Sequence, residues 1–228
     1  MKQSNIIFIH FAGGSCFSYN YLLPYLSGYK TLSVELPGRG QRIKEVIIKD
    51  IHDAKRDILS QISDKIMPGK SIIIGHSMGA LLAFLVTREL ENNGLAPKQL
   101  ILCGDPGVGL CLKERIFDYS KEDFKSELKK MGGMPAEFFN NEQLFQFYEP
   151  ILRADIKLAY DMSLVNDVYI KTPIHAIMGT EEEDSVHIQN WKKHTSGSFE
   201  CELMSGDHFF IFKNGSKIAD LIAKYADQ

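Results

Sequence analysis

The chain is short of the features that mark several large classes of protein. Its 228 residues include four cysteines, Cys16, Cys103, Cys111 and Cys201. None forms a C-x-x-C pair, and Cys103 and Cys201 sit in apolar, strand-like runs. We read all four as free thiols in a reducing compartment. No run of apolar residues approaches the roughly 20 needed for a membrane-spanning helix. The N-terminal run Ile6-Ile7-Phe8-Ile9 is only strand-length and gives way to His10 and a Gly-Gly turn, so it does not read as a signal peptide. A cytoplasmic location is expected. Charge of one sign is also missing: 26 basic residues face 29 acidic ones, for a net charge of -3. No basic block suggests nucleic acid or an anionic membrane, and the run Glu181-Glu182-Glu183-Asp184 is too short for an acidic tail. There is no internal repeat, low-complexity segment or metal-ligand spacing. What remains is ordinary for a globular protein, 44% hydrophobic and 24% charged, and the length suits one domain over 1–228.

Short apolar runs and helix-length segments alternate along this domain. Strands are expected at Ile6–Ile9, Thr31–Leu36, Ser71–Ile74, Leu100–Cys103 and Ile174–Met178. Near-continuous apolarity marks strands covered on both faces, as in a parallel sheet. Phe199, Cys201 and Leu203 alternate with Glu200 and Glu202, which predicts a half-exposed strand near the sheet edge. Helices are expected over Ile51–Ile66 and at the C-terminus, where Ile218, Leu221, Ile222 and Tyr225 fall on one face. The alternation breaks between about Gly107 and Asp167. Ser120-x-x-Asp123 reads as a helix start there. Gly132-Gly133-Met134-Pro135 breaks the chain, and a second helical stretch follows from about Asn141 to Asp161. Phe138, Phe139, Phe145, Phe147 and Tyr148 crowd this insert. They read first as packing of the insert onto the body and second as the lining of an acyl-binding groove.

Gly75-His76-Ser77-Met78-Gly79 carries the chemistry. It reads G-x-S-x-G between an apolar strand and an apolar helix, the setting in which a serine is held on a sharp turn with its hydroxyl exposed. A serine hydroxyl is a weak nucleophile until a base takes its proton, and that base needs a carboxylate to orient it. With this elbow the chain order is serine, acid, histidine. His208, in Ser205-Gly206-Asp207-His208-Phe209-Phe210 after the last strand, fits the base. His76 should diverge from Ser77, and His187 and His194 read as surface residues. Three acids remain open. Asp184 is favoured by residue type and its D-x-V context. Glu182 follows closely, on its shorter distance from the strand-ending Gly179. Asp105, at the end of the preceding strand, is third. Two N–H groups must face the oxyanion. The backbone N–H of Met78 is one candidate, and that of Ala12, in the turn His10-Phe11-Ala12-Gly13-Gly14-Ser15, is the other. This turn has neither the G-x-G-x-x-G nor the Walker pattern of a nucleotide loop.

Five stretches also resemble one family, the stand-alone (type II) thioesterases that accompany nonribosomal peptide and polyketide synthases. They are Phe11-Ala12-Gly13-Gly14-Ser15, Glu35-Leu36-Pro37-Gly38-Arg39, Gly75-His76-Ser77-Met78-Gly79-Ala80, Leu152-Arg153-Ala154-Asp155 and Gly206-Asp207-His208-Phe209-Phe210. Gly132-Gly133-Met134-Pro135 and Trp191-x-x-His194-Thr195 match more weakly. The resemblance implies an α/β-hydrolase fold, a mostly parallel sheet flanked by helices, with a helical lid inserted at about 108–166. It implies Ser77 as nucleophile, His208 as base and hydrolysis of acyl thioesters. The substrate would arrive on the phosphopantetheine arm of an acyl or peptidyl carrier protein, with no cofactor of the enzyme's own. A monomer is expected. The family usually places an aspartate three residues past the strand-ending glycine, where this chain has Glu182. Either glutamate replaces aspartate or a two-residue insertion moves the role to Asp184. Two further readings share the elbow: a carboxylesterase or lipase of the same fold, and a non-catalytic binding protein built on it.

Overall fold

A computed structural model describes residues 4–110, 114–163 and 167–228; Cys111 lies outside them. Six strands form one sheet: β1 (Asn5–Ile9), β2 (Lys30–Ser33), β3 (Ile72–His76), β4 (Gln99–Cys103), β5 (Ile174–Gly179) and β6 (Phe199–Met204). Their order is β2-β1-β3-β4-β5-β6, and every pairing is parallel. The helices are α1 (Ile51–Ile62), α2 (Met78–Asn92), α3 (Lys121–Met131), α4 (Ala136–Asn140), α5 (Glu142–Ser163), α6 (Phe210–Lys213) and α7 (Gly215–Asp227). Among the described residues four 3-10 segments join them, the longest being Glu183–His194. Among the described residues no helix is long and apolar enough to cross a membrane.

The apolar strands are covered on both faces, as their sequence predicts. On one face Ile7, Ile9, Ile73, Leu100 and Ala176 pack against α1, α2 and Trp191. On the other, Ile6, Phe8, Ile72, Ile74 and Ile177 meet the 3-10 helix Asn20–Leu26 and α7. Burying a side chain of this size contributes about 1.5–3 kcal/mol, so these two layers supply most of the drive to fold. A third cluster lies within the insert between β4 and β5, where Phe124, Leu128, Phe138, Phe139 and Phe145 pack with Leu152 and Ile156. Four of the five crowded aromatics pack in this cluster, Tyr148 at its edge, and hold the insert together rather than packing it onto the body, while Phe147 is exposed.

Several boundaries differ from expectation for local reasons. β2 ends at Ser33, not Leu36. It pairs only with β1, and the last backbone bond to that strand is Val34 N–H to the Phe8 carbonyl at 2.9 Å. Val34 and Leu36 are apolar because they are buried beyond the strand's end. Helix α1 stops at Ile62, and the chain turns so that Ile66 still reaches the core. On β6, Phe199 and Cys201 pack on the core as the alternation requires, but Leu203 is exposed and Met204 packs on the opposite face. Helix α3 begins as predicted, with the Ser120 hydroxyl accepting the Asp123 N–H at 3.1 Å, a bond typically worth about 1 kcal/mol.

Candidate active site

The C-terminal ends of β1, β3, β5 and β6 gather the site. Past the end of β3, Ser77 N–H donates to the Cys103 carbonyl at 2.8 Å. The chain then reverses so sharply that Ser77 adopts φ 54° and ψ -123°. Among the described residues it is the only non-glycine with positive φ. Strain of this kind costs about 1–3 kcal/mol and persists only where the surroundings enforce it. The flanking glycines do so here. A Cβ on Gly75 would lie 2.1 Å from the Gly79 carbonyl oxygen, and one on Gly79 would lie 2.2 Å from that of Ile9. Strand, turn and helix can close on one another only with glycine at both places. Met78 opens α2, so its N–H is one of the first-turn amides with no partner inside the helix.

His208 sits in the loop after β6. Its Nδ1 lies 2.6 Å from Glu182 Oε2. The other carboxylate oxygen, Oε1, accepts the Gly179 N–H at 2.7 Å. Glu182 is thus fixed from both sides, with its side chain only 9% exposed. Gly179 also lets the histidine loop cross the end of β5, since a Cβ there would come within 2.5 Å of the carbonyl oxygens of Gly206 and Asp207. Asp184, favoured from sequence, does not hold the ring. It falls in the first turn of the 3-10 segment Glu183–His194 and is exposed. Asp105 is buried, and its Oδ1 accepts the Gly107 N–H at 2.8 Å.

His76 turns away from the elbow into a box of rings. Phe11, Phe209 and Phe210 surround it, and its centroid is 4.8 Å from that of His208. Burial first, and then the neighbouring His208, hold its pKa well below the ordinary imidazole value, so it stays neutral. His187 is exposed as expected, but His194 is buried, with Nδ1 3.1 Å from the Val168 carbonyl oxygen and Tyr169 stacked on its ring.

The turn after β1 completes the wall. Gly14 N–H donates to the Phe11 carbonyl at 2.9 Å. Gly13, at φ +73°, donates to Asp155 Oδ2 at 2.7 Å. Asp155, on α5, also receives both prongs of the Arg39 guanidinium at 2.5 and 2.7 Å. The family-like stretches ending in Arg39 and Asp155 therefore meet beneath this turn. Nothing in the sequence paired them, because 116 residues separate the two. A cavity of about 400 Å3 is lined by Ala12, Ser77, Met78, Asp105, Glu182 and His208, among others. A second pocket of about 40 Å3 also reaches Ser77 and His208, from the side of Leu128, Met131, Leu152 and Ile156.

A parallel sheet with a strained serine between strand and helix, and a carboxylate-bound histidine beyond its last strand, defines an α/β-hydrolase. Within that class the chain belongs to the thioesterase-domain family, whose sequence model matches residues 4–226. A protein named linear gramicidin dehydrogenase LgrE, from Brevibacillus parabrevis, is 29% identical over 232 residues, spanning 93% of this chain and 84% of that protein. Thioesterase PikA5 of Streptomyces venezuelae is 24% identical over 219 residues, spanning 95% of this chain and 78% of its own. The crystal structure of ClbQ, from the colibactin NRPS/PKS pathway, superposes with a TM-score of 0.89 at 23% identity, covering 98% of this chain and 97% of ClbQ.

Proposed function

We propose that this chain is a type II thioesterase. It removes acyl or aminoacyl groups from the phosphopantetheine arm of carrier proteins, serving editing or release in nonribosomal peptide or polyketide synthesis. The observation that carries the reading is the bond from Glu182 to His208 on the same cavity wall as the strained Ser77. The name of thioesterase PikA5 supports the reaction, and the NRPS/PKS pathway named for ClbQ supports the synthase setting. The insert at about 108–166 serves as the lid, and the enzyme works as a cytoplasmic monomer.

With Glu182 on Nδ1, the Nδ1–H tautomer is favoured and Nε2 is left to act as base. His208 Nε2 takes the Ser77 hydroxyl proton as Oγ attacks the thioester carbonyl. The oxyanion is met by the N–H groups of Met78 and Ala12, each worth roughly two to three orders of magnitude in rate. The C–S bond then breaks, and the pantetheine thiol leaves with the proton from His208. Water, deprotonated by the same histidine, attacks the acyl-serine and releases the acid.

The test compares acyl-loaded carrier proteins, acyl-pantetheine thioesters and matched oxygen esters, for the wild-type chain and Ser77→Ala. Thioester turnover should exceed that of the oxygen esters, rise further on the carrier protein, and vanish in a folded Ser77→Ala. Near-normal turnover by that variant would overturn the mechanism. A preference for oxygen esters would make the chain an esterase.

A further inference from the structure

The ion pair beneath the Gly13 turn takes no step in the chemistry above, yet it is deeply buried. The Arg39 side chain is 3% exposed and that of Asp155 0%. Desolvating two charges is expensive, and a buried pair is often no more stabilising than well-packed apolar residues of the same volume. The geometry of the pair supplies a reason for its burial other than stability.

Three segments meet at this pair. Arg39 comes from the loop after β2, Asp155 from α5, and Gly13 from the turn after β1. Asp155 Oδ2 accepts from Arg39 Nη1 and from the Gly13 N–H at once. Arg39 Nη1 also lies 3.4 Å from the Gly14 carbonyl oxygen. Leu152, one turn earlier on α5, packs so closely under Gly13 that a Cβ there would lie 2.6 Å from its Cδ2. The neighbouring ionisable groups do not replace the pair. His10 is held neutral, its pKa pushed down to about 4 by burial first and then by Arg39. The Glu35 carboxylate accepts the N–H groups of Cys16 and Gln41. The consequence falls on one amide. With Gly13 N–H taken by Asp155 and Gly14 N–H by Phe11, the stretch Ala12–Gly14 has only the Ala12 N–H left to address the cavity beside Ser77.

We propose that Arg39 and Asp155 are positioning residues that aim the Ala12 N–H at the oxyanion and make its alignment depend on how α5 is seated. The inference rests on the reading of Ser77 as nucleophile. Its functional corollary is that substrate displacing α5 would misalign the oxyanion donor, so that hydrolysis proceeds fully only when the helix is in place.

The test uses the full chain and two variants. Arg39→Met/Asp155→Leu replaces both charges with apolar residues and removes the acceptor for Gly13. Asp155→Asn keeps the shape but removes the negative charge. In the folded double variant, kcat should fall roughly 10- to 100-fold, in line with misplacing one oxyanion donor. The affinity of an alkylboronic acid, which forms a tetrahedral adduct on serine, should fall by a similar factor. Binding of a non-hydrolysable acyl-pantetheine thioether should stay within about twofold, and the pH midpoint of kcat/KM should not move, since Glu182 and His208 are untouched. Native kcat in the folded double variant overturns the proposal, as does an equal loss of boronate and thioether binding. If the double variant does not fold, Asp155→Asn is read by the same criteria, with a fall in kcat and boronate affinity expected at about tenfold. Ser77→Ala is assayed alongside. Turnover that survives it removes the nucleophile reading and the positioning role with it, whereas turnover lost there but kept in the folded pair variants removes the positioning role alone.

Discussion

Glu182 reaches His208 from a turn that its own carboxylate helps to close, with one oxygen on the Gly179 amide and the other on the imidazole. A glutamine there could keep one of these bonds, but it would not stabilise the imidazolium formed when Ser77 loses its proton. In the proposed mechanism Glu182→Gln should therefore lower kcat by on the order of a hundred- to ten-thousand-fold with the fold unchanged. Asp184→Asn should change kcat by no more than a factor of a few, because that side chain is exposed and makes no bond to the ring. Steady-state kinetics on the two variants, with circular dichroism as a check on folding, decide between them; equal losses would remove the distinction. The residue type pointed to Asp184. Position favours Glu182, since three residues past Gly179 the backbone still turns back on the strand end, Glu182 N–H donating to the Gly179 carbonyl at 3.2 Å. Four consecutive acids look alike in a sequence, and only the direction of the turn separates them.

At the scale of elements, α5 belongs to two bodies at once. Phe145, Leu152 and Ile156 pack within the insert, while Leu158 and Ala159 join the core layer formed with α1 and α2. The insert is tied to the histidine loop as well. Gly133 lies against Phe209, so close that a Cβ would fall 1.8 Å from the ring, whereas one on Gly132 would meet nothing within 4 Å. Both glycines have similar positive φ, 76° and 79°. Gly132, at φ 76° and ψ -166°, sits in backbone that essentially only glycine adopts, so alanine there costs about 1–3 kcal/mol of strain, but only Gly133→Ala should push Phe209 and, with it, His208. We expect kcat/KM to fall about tenfold or more in Gly133→Ala and far less in Gly132→Ala. Thermal melts and kinetics on the pair test this, and equal activity would show that the contact with Phe209 does not matter to the site.

The same scale explains what the sequence discloses. β1, β3, β4 and β5 are readable because burial on both faces makes them continuous apolar runs. β2 is read too long because Val34 and Leu36 are buried without being paired in a named strand. The elbow is readable because its steric demand is local, two glycines around one serine. The meeting of Arg39 with Asp155 is not, since it depends on how α5, far along the chain, packs over α1 and α2. His194 reads as a surface residue from sequence, whereas Trp191, Phe84 and Tyr169 together bury it in the fold.

Across the whole molecule, two buried neutral histidines couple stability to pH. His10 is pushed down to about 4 from 6.5, by burial first and then by Arg39. His76 is held well below the same value, by burial first and then by His208. Below pH 6.5 the unfolded chain binds protons at these positions and the folded chain does not. Their contribution is thus fully present above about pH 6.5 and is lost as pH falls toward 4. Each removes about 1.4 kcal/mol per pH unit while only the unfolded form is protonated. Urea denaturation at pH 7.5, 6 and 5 should show the midpoint dropping steeply at the acid end. A flat profile would mean that both imidazoles take up protons in the native state as readily as in the unfolded chain.

The scattering of the site along the chain has a consequence for synthesis. Ala12, Arg39, Ser77, Asp155, Glu182 and His208 are delivered one after another as the polypeptide is made, and the face of β1 and β3 that α7 covers is completed only by that helix. A nascent chain carries its serine long before it carries its histidine. In the proposed mechanism the Ser77 hydroxyl has no base until His208 has been made, and the layer over that face of β1 and β3 is not closed until α7 docks. A chain truncated before Gly215 should be made without ever becoming active.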